Sequence, residues 1–324
     1  RLDDDGRAHP ASPPKPHAWA ARREIVPFML DDEALFLLYD PVSGGAAIAA
    51  LNVAGEGTTT TWDSDGPVMT PGLLTVGYTI GEVPYVLQYA PWGEHAGLAQ
   101  IRRLSREGVE LVWESRTWWT EMELISWRHG DETYVMQYGF EGEHAGATNL
   151  YRMRADGVEW TWGVPSRTWR DRLTIVPCVP ASTSERVALL HYAPDTGRVG
   201  LHAVLPGGTA TEPLWPEGQD PEVAPIDWAP GLTVVSYRLG ADQFFLQYQA
   251  QTGAVAIERI VEGGFATERT FEEDASGAWR TGLDLTLVPM RDDKVFLIHR
   301  RRETGEAGVE EMNPGGLGTT TIWR

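Results

Sequence analysis

Short apolar runs of about five residues alternate with polar, glycine-bearing stretches along the whole chain, and in no window do apolar positions recur at helical spacing for three turns. Six of the runs are in step. Those at 35–39, 85–89, 134–138, 188–192 and 244–248 end in Tyr39, Tyr89, Tyr138, Tyr192 and Tyr248, about fifty residues apart, and in the sixth, 295–299, His299 takes the place of the tyrosine. Two further series keep the same phase. One is an aromatic at Trp62, Trp113, Trp162, Trp215, Phe271 and Trp323, and the other is Trp19, Met69, Trp118, Trp169, Trp228 and Trp279. After the second series a β-type run passes through Val26-Pro27, Val76-Gly77, Ile125-Ser126, Val176-Pro177, Val235-Ser236 and Val288-Pro289. A period near fifty in a chain of short apolar runs marks a β-propeller or a stacked array.

Within one copy the pattern resolves into four strands. In the fifth copy they fall at 232–237, 244–248, 254–258 and 266–271, joined by the turn segments Gly240-Ala241-Asp242, Gln251-Thr252-Gly253 and Glu262-Gly263-Gly264. With 35 Gly and 22 Pro, long helices are disfavoured. The expected fold is therefore all-β, a six-bladed β-propeller of four-stranded antiparallel blades occupying 19–324 as a single domain, with the first and last sheets covering one another. The Val-Pro proline suits an innermost strand at the channel edge, where one amide need not join a ladder. Residues 1–18 are polar, Pro-rich and outside the repeat, and read as a tail. Trp62, Trp113, Trp162, Trp215 and Trp323 are expected to fill the wedges between blades, each ring burying on the order of 200 Å².

Charge narrows the partners. Lys and Arg number 27 against 46 Asp and Glu, a formal net charge of −19, which repels phosphate backbones and anionic bilayers. No run approaches the roughly 18 apolar residues of a membrane helix, so neither nucleic acid nor membrane insertion is expected. The lone Cys178 rules out an intrachain disulfide and, inside an apolar strand, reads as a buried, inert thiol. No signal peptide is recognisable in a chain that begins at Arg1; an extracellular or cell-surface site is expected, and the cytoplasm stays compatible.

Candidate chemistry lies where the repeat is broken. Trp92, Trp119, Trp127 and Trp160 are additional to the anchor series and concentrate in copies two and three. Trp127 and Trp160 fall in strands and are expected to pack, whereas Trp92 and Trp119 are flanked by Gly, Pro and charged residues, as on loops where rings stack on sugars. The pentapeptide Gly-Glu-His-Ala-Gly occurs twice, at 93–97 and 142–146, placing Glu94, His95, Glu143 and His144 at equivalent points of adjacent blades. These could bind a polar ligand, although a duplication explains them equally. Adjacent Glu and His point apart and three or four converging ligands are not evident, so no metal is assigned. Gln88, Gln137 and Gln247, with His191, precede the strand-ending Tyr where copies one and six have Leu38 and Ile298. They face a cleft between blades, either for a ligand or to satisfy backbone groups there. No nucleophile elbow, zinc-protease motif, phosphate loop or nucleotide fingerprint is present, and no pair stands out among 46 acids, so neither catalytic residues nor cofactors are assigned.

Written as Trp, a β run with Val-Pro, an apolar strand ending in Tyr, a Gly turn, a third strand and a closing Trp, residues 19–323 resemble propeller lectins of the tachylectin and tectonin type. The Gly-Gly that those repeats place before the first Trp is missing at Trp19, Trp118, Trp169, Trp228 and Trp279. WD-repeat and kelch patterns fit less well, since Trp62-Asp63 is the only such closure. The resemblance implies a propeller and a multivalent sugar-binding habit, and transfers no individual residue. The expected function is non-catalytic, lectin-like recognition of glycans at several similar inter-blade sites, multivalency raising a weak affinity. Two alternatives stand beside it. One is a structural propeller in an extracellular or surface assembly, with protein partners or oligomers; the other is a propeller glycoside hydrolase or lyase, which needs several acids converging in the axial cavity.

Overall fold

The structure, a computed structural model, describes residues 23–323 apart from 53–56, 181–185, 216–227, 262–265, 275–278, 291–292 and 302. Its strands, taken four at a time in chain order, make six separate antiparallel sheets. Blade 1 is β1 (Glu24–Leu30), β2 (Glu33–Tyr39), β3 (Gly45–Asn52) and β4 (Gly57–Pro67); blade 2 is β5 (Leu74–Ile80), β6 (Val83–Tyr89), β7 (Ala99–Ser105) and β8 (Gly108–Ser115). Blade 3 is β9 (Met122–His129), β10 (Glu132–Gly139), β11 (Thr148–Arg154) and β12 (Gly157–Val164); blade 4 is β13 (Thr174–Cys178), β14 (Ala188–Tyr192), β15 (Val199–Val204) and β16 (Thr211–Trp215). Blade 5 is β17 (Thr233–Leu239), β18 (Asp242–Tyr248), β19 (Val255–Ile260) and β20 (Thr267–Glu273); blade 6 is β21 (Leu283–Pro289), β22 (Val295–Arg301), β23 (Ala307–Met312) and β24 (Thr319–Trp323). The first strand of each blade lies against the first strands of its neighbours, and β1 meets β21, which closes a six-bladed propeller. The expected tail, residues 1–18, and Trp19 lie outside the described residues.

The five-residue apolar runs are the second strands. Both faces of a second strand are covered by adjacent blades, so it is apolar throughout rather than alternating. Phe36, Leu37 and Tyr39, and likewise Phe244, Phe245, Leu246 and Tyr248, are wholly buried. The strand-ending tyrosines lock each blade to the next. Tyr39 donates to the carbonyl of Thr70 (2.6 Å), Tyr138 to Arg170 (2.6 Å), Tyr192 to Ala229 (2.7 Å), Tyr248 to Arg280 (2.7 Å) and Tyr89 to Trp119. In blades 3, 4 and 5 the same hydroxyl accepts an amide of the following blade, from Leu173 (3.0 Å), Leu232 (2.9 Å) and Leu283 (3.0 Å). Burial pushes the Tyr39 and Tyr138 hydroxyls up to about 12.

Blade 6 departs from the sequence alignment by one residue. Pairing Glu24 with Tyr39, Leu74 with Tyr89, Glu123 with Tyr138, Thr174 with Tyr192 and Thr233 with Tyr248 sets the row in which Asp284 pairs with Arg300. Arg300, not His299, thus holds the tyrosine position, and His299 joins the row of Gln88, Gln137, His191 and Gln247. On the same register Leu287, rather than Pro289, matches Pro27 and Pro177. At this position Arg300 reaches across the seam to donate to the carbonyl of Arg23.

The outer aromatics act as wedges. A side chain on Gly108 would meet Trp62 at 3.1 Å and one on Gly157 would meet Trp113 at 3.3 Å, so each ring packs under a hairpin of the following blade. Trp162 packs beside Trp169 at 6.0 Å, whereas the side chains of Trp215 and Trp323 lie outside the described residues. Trp127 stacks on Tyr134 (6.0 Å, 18°) as expected. Trp160 does not: it lies on β12, the outer strand, which no further strand of its sheet covers, and is 59% exposed. Cys178 is buried, and burial pushes its thiol well above the usual range.

Candidate functional site

All six blades carry a turn between the second and third strands, closed by a glycine whose amide returns to the start of the turn. It spans 40–44, 193–197, 249–253 and 301–305 in blades 1, 4, 5 and 6, but 90–97 and 139–146 in blades 2 and 3. The repeated pentapeptides thus sit on loops three residues longer than their counterparts. Their final glycine belongs to the fold. Gly146 has φ +71°, and a side chain there would lie 2.0 Å from the carbonyl of Trp169, whose amide it receives; Gly97 meets Trp118 in the same way. The remaining residues of the loops, which bear Trp92, Glu94, His95, Glu143 and His144, are not required by the ring.

The connector between blades 2 and 3, residues 116–121, binds both long loops. The Trp118 amide donates to Gly97 (3.2 Å) and the Glu121 amide to Pro91 (2.8 Å), both on the blade 2 loop. The Glu121 carboxylate accepts the Glu143 amide (3.4 Å) from the blade 3 loop. Glu121 adopts φ +60°, in the left-handed region, and packs where Gly142 leaves no side chain; a Cβ there would lie 2.2 Å from its Oε2. Between these ties Trp119 is fixed by its backbone: its carbonyl accepts from the Tyr89 hydroxyl and from Gln137 Nε2 (3.3 Å). Its ring turns outward, 40% exposed, and stacks on His144 (4.7 Å, 21°). Trp92, next to Pro91, is 63% exposed.

The position of Trp119 has a counterpart at every connector. Thr70, Arg170, Ala229 and Arg280 likewise offer their carbonyl to the preceding tyrosine. Arg170 reaches Asp195 through two contacts (2.9 and 2.7 Å), and Arg280 reaches Glu306 (2.9 Å), each on the loop of the next blade. The outward side chain at this position therefore contacts the following loop by charge at two junctions and by ring stacking at one. Among the described residues only the blade 2–3 junction presents an exposed aromatic surface there, and Glu94, Glu121 and Glu143 on its connector and two loops are exposed as well.

The three glutamines occupy different ground. Gln88, Gln137 and Gln247 are buried inside the clefts between blades 1 and 2, 2 and 3, and 4 and 5. Gln88 accepts from Arg102 Nε (3.0 Å), and Gln137 accepts from the Tyr151 hydroxyl (3.2 Å) while holding Trp119. Nε2 of Gln247 is buried with no hydrogen-bond partner among the described residues. While the blades stay packed, none of these side chains meets solvent. The clefts also differ from one another. The third-strand position that faces the preceding blade is Ala49, Arg102, Tyr151, His202, Glu258 and Glu310 in turn. Glu258 pairs with Arg269 (3.0 Å), and His191 and His202 stack at 4.3 Å beneath Trp169. The expectation of several similar sites thus meets six unlike clefts, because the repeat conserves packing positions and not the polar ones.

The structure therefore gathers Trp119, His144, Glu143 and, through Pro91, the loop of Trp92, Glu94 and His95, and leaves Gln88 and Gln247 elsewhere. Sequence reasoning did not identify Glu121 or the loop insertion. The spacing from strand-ending Tyr to turn Gly, five residues in blades 1, 4 and 5 and eight in blades 2 and 3, carries that signal. Among the described residues no three His, Cys, Asp or Glu side chains converge as metal ligands would.

No family model matches the sequence, and no curated protein matches it. Among solved structures, a lectin of Aleuria aurantia in complex with Fucα1-6GlcNAc is similar with a TM-score of 0.60 and 10% identity, over 93% of this chain and 94% of that one. The SapL1 lectin in complex with α-methyl fucoside has a TM-score of 0.59 and 9% identity, over 93% and 97%. A Bacteroides fragilis protein assigned as a 6-phosphogluconolactonase has a TM-score of 0.54 and 14% identity, over 90% and 81%. At such low identity these likenesses establish the architecture alone: the chain is a six-bladed β-propeller.

Proposed function

We propose that this protein binds carbohydrate without transforming it, at the junction of blades 2 and 3. The observation that carries the reading is the outward ring of Trp119, held through its own backbone carbonyl and stacked on His144 between two loops longer than the fold needs. An exposed indole face stacks on the C–H face of a sugar ring, and the carboxylates of Glu94, Glu121 and Glu143 accept hydrogen bonds from hydroxyls. Trp92 is a second exposed ring on the neighbouring loop. The likeness to two propeller lectins crystallised with fucosides supports a sugar as the ligand class. Six unlike clefts favour one principal site over several equal ones.

The test is a glycan array probed with the wild type and with Trp119→Ala. The substitution keeps the carbonyl that anchors Tyr89 and Gln137, so the fold persists while the stacking surface goes. The expected result is binding by the wild type that weakens on the order of tenfold or more in the variant. No glycan retained by the wild type, or equal retention of the variant, overturns the reading.

A further inference from the structure

Among the described residues, those other than glycine that hold a left-handed backbone are Asp31, Asp32, Glu121, Arg167, Arg172 and Asp293. The aspartates sit in hairpins between first and second strands, where Asp tolerates that region. Glu121, Arg167 and Arg172 all touch one segment, the blade 3 loop 139–146 that carries His144. Two of them stand where the other connectors hold glycine. At this point each described connector ties its amide to the preceding turn: Gly72 to Pro41 (2.7 Å), Glu121 to Pro91 (2.8 Å), Arg172 to Phe140 (2.9 Å), Gly231 to Pro194 (2.9 Å) and Gly282 to Ala250 (2.9 Å). The φ values in the same order are +75°, +60°, +55°, +74° and +70°. A Cβ on Gly72 or Gly282 would meet nothing within 4 Å, so glycine is there for its φ and not for want of space.

A side chain at such a position costs backbone energy, and strain of this kind collects at functional sites, where the surroundings hold it. At the blade 3 loop each strained residue supplies a tie. Glu121 spans two loops, its amide on Pro91 of the blade 2 loop and its carboxylate accepting the Glu143 amide (3.4 Å) over Gly142. The other flank is held from the connector between blades 3 and 4. There Arg167 gives its amide to the Ala145 carbonyl (2.7 Å), and the Arg172 guanidinium donates to the Glu141 carboxylate (3.5 Å). His144 lies between these ties, its carbonyl accepting the Ala147 amide (2.9 Å) and its ring stacked on Trp119 (4.7 Å). Glycine at 121 and 172 would relieve the backbone and leave the loop without either side-chain tie.

We propose, on the carbohydrate reading of this junction, that Glu121 and Arg172 are positioning residues, kept against the preference of the fold to hold the blade 3 loop and its His144–Trp119 stack in shape before a sugar arrives. Such preorganisation raises affinity by removing the cost of ordering the loop on binding. The wild type is compared with Arg172→Gly, Arg172→Ala and the double variant Glu121→Gly with Arg172→Gly. The melting temperature is expected to hold or rise in the glycine variants, with Arg172→Ala melting below Arg172→Gly. By NMR without ligand, the ring-current shift that Trp119 imposes on the His144 ring protons, absent in Trp119→Ala, shrinks in both Arg172 variants and furthest in the double variant. Affinity for a glycan retained by the wild type falls about twofold in the Arg172 variants and at least about fivefold in the double variant. A melting temperature lowered by the glycine substitutions overturns the proposal, because the two side chains then serve the fold. A His144 shift unmoved in the double variant, or an affinity unchanged by it, overturns it as well. If the wild type retains no glycan, the sugar reading falls by itself, and the melting temperature and the His144 shift still decide whether these residues brace the loop.

Discussion

The junction of blades 2 and 3 and the seam between blades 6 and 1 are the same kind of surface built in opposite ways. At the seam, Phe36, Leu38, Ala47 and Ala49 pack on Val288, Phe296, Ile298 and Val309 in one buried apolar cluster. At the junction the corresponding second- and third-strand positions hold Gln137, Asn149 and Tyr151, polar groups threaded through the cleft. The junction has a covalent connector and a tyrosine latch, whereas the seam joins the first and last blades in chain order and has Arg300 in the latch position. Where chain connectivity and a latch hold two blades, the cleft between them tolerates polar groups and its surface is free to carry a binding residue. At the seam, where the first and last blades meet and Arg300 replaces the tyrosine, apolar burial closes the ring.

This contrast can be broken at several points, the most severe first. Ala49→Arg would give the seam the residue that blade 2 carries at the same position, Arg102, without the Gln88 and Gln100 side chains that receive it. A loss on the order of 3–5 kcal/mol is expected for an uncompensated buried charge, read as a lowered urea midpoint. Alkali comes next. The Tyr39 and Tyr138 hydroxyls are raised to about 12, so their contribution is complete below the unfolded value of about 10 and is lost as pH rises through about 12. Stability should fall across that window while tyrosinate absorbance rises with it. A single latch costs less: Tyr138→Phe leaves the Arg170 carbonyl and the Leu173 amide without their partner, for about 1–3 kcal/mol by denaturant titration. The smallest effect belongs to Arg170→Ala, whose exposed pair with Asp195 should contribute under about 0.5 kcal/mol.

The fold was legible because a propeller repeats its packing, and packing writes the apolar runs, the tyrosines and the turn glycines into each copy. The register of blade 6 was not, since a shift by one residue leaves the run Val295–Ile298 apolar and sets His299 where an aromatic is expected. The pairing of Asp284 with Arg300 resolves it, as does the turn, whose Gly305 lies five residues beyond Arg300. At the candidate site, Trp92 and Trp119 were legible as departures from the repeat. Their neighbour Glu121 was not, because its part depends on a left-handed backbone and on the space left by Gly142 in a different blade. The burial of Gln88, Gln137 and Gln247 was equally hidden, since strand alternation gives the face of a side chain and not how tightly the next blade covers it.

The claim that one aromatic junction serves as the binding surface is tested most directly by following the indole N–H resonances of the tryptophans while titrating a glycan retained on the array. The account predicts that Trp119 and Trp92 shift with a common saturation curve, while the buried Trp118 and Trp228 hold still. Shifts confined to tryptophans of other blades, or an unmoved Trp119 at saturation, would contradict it.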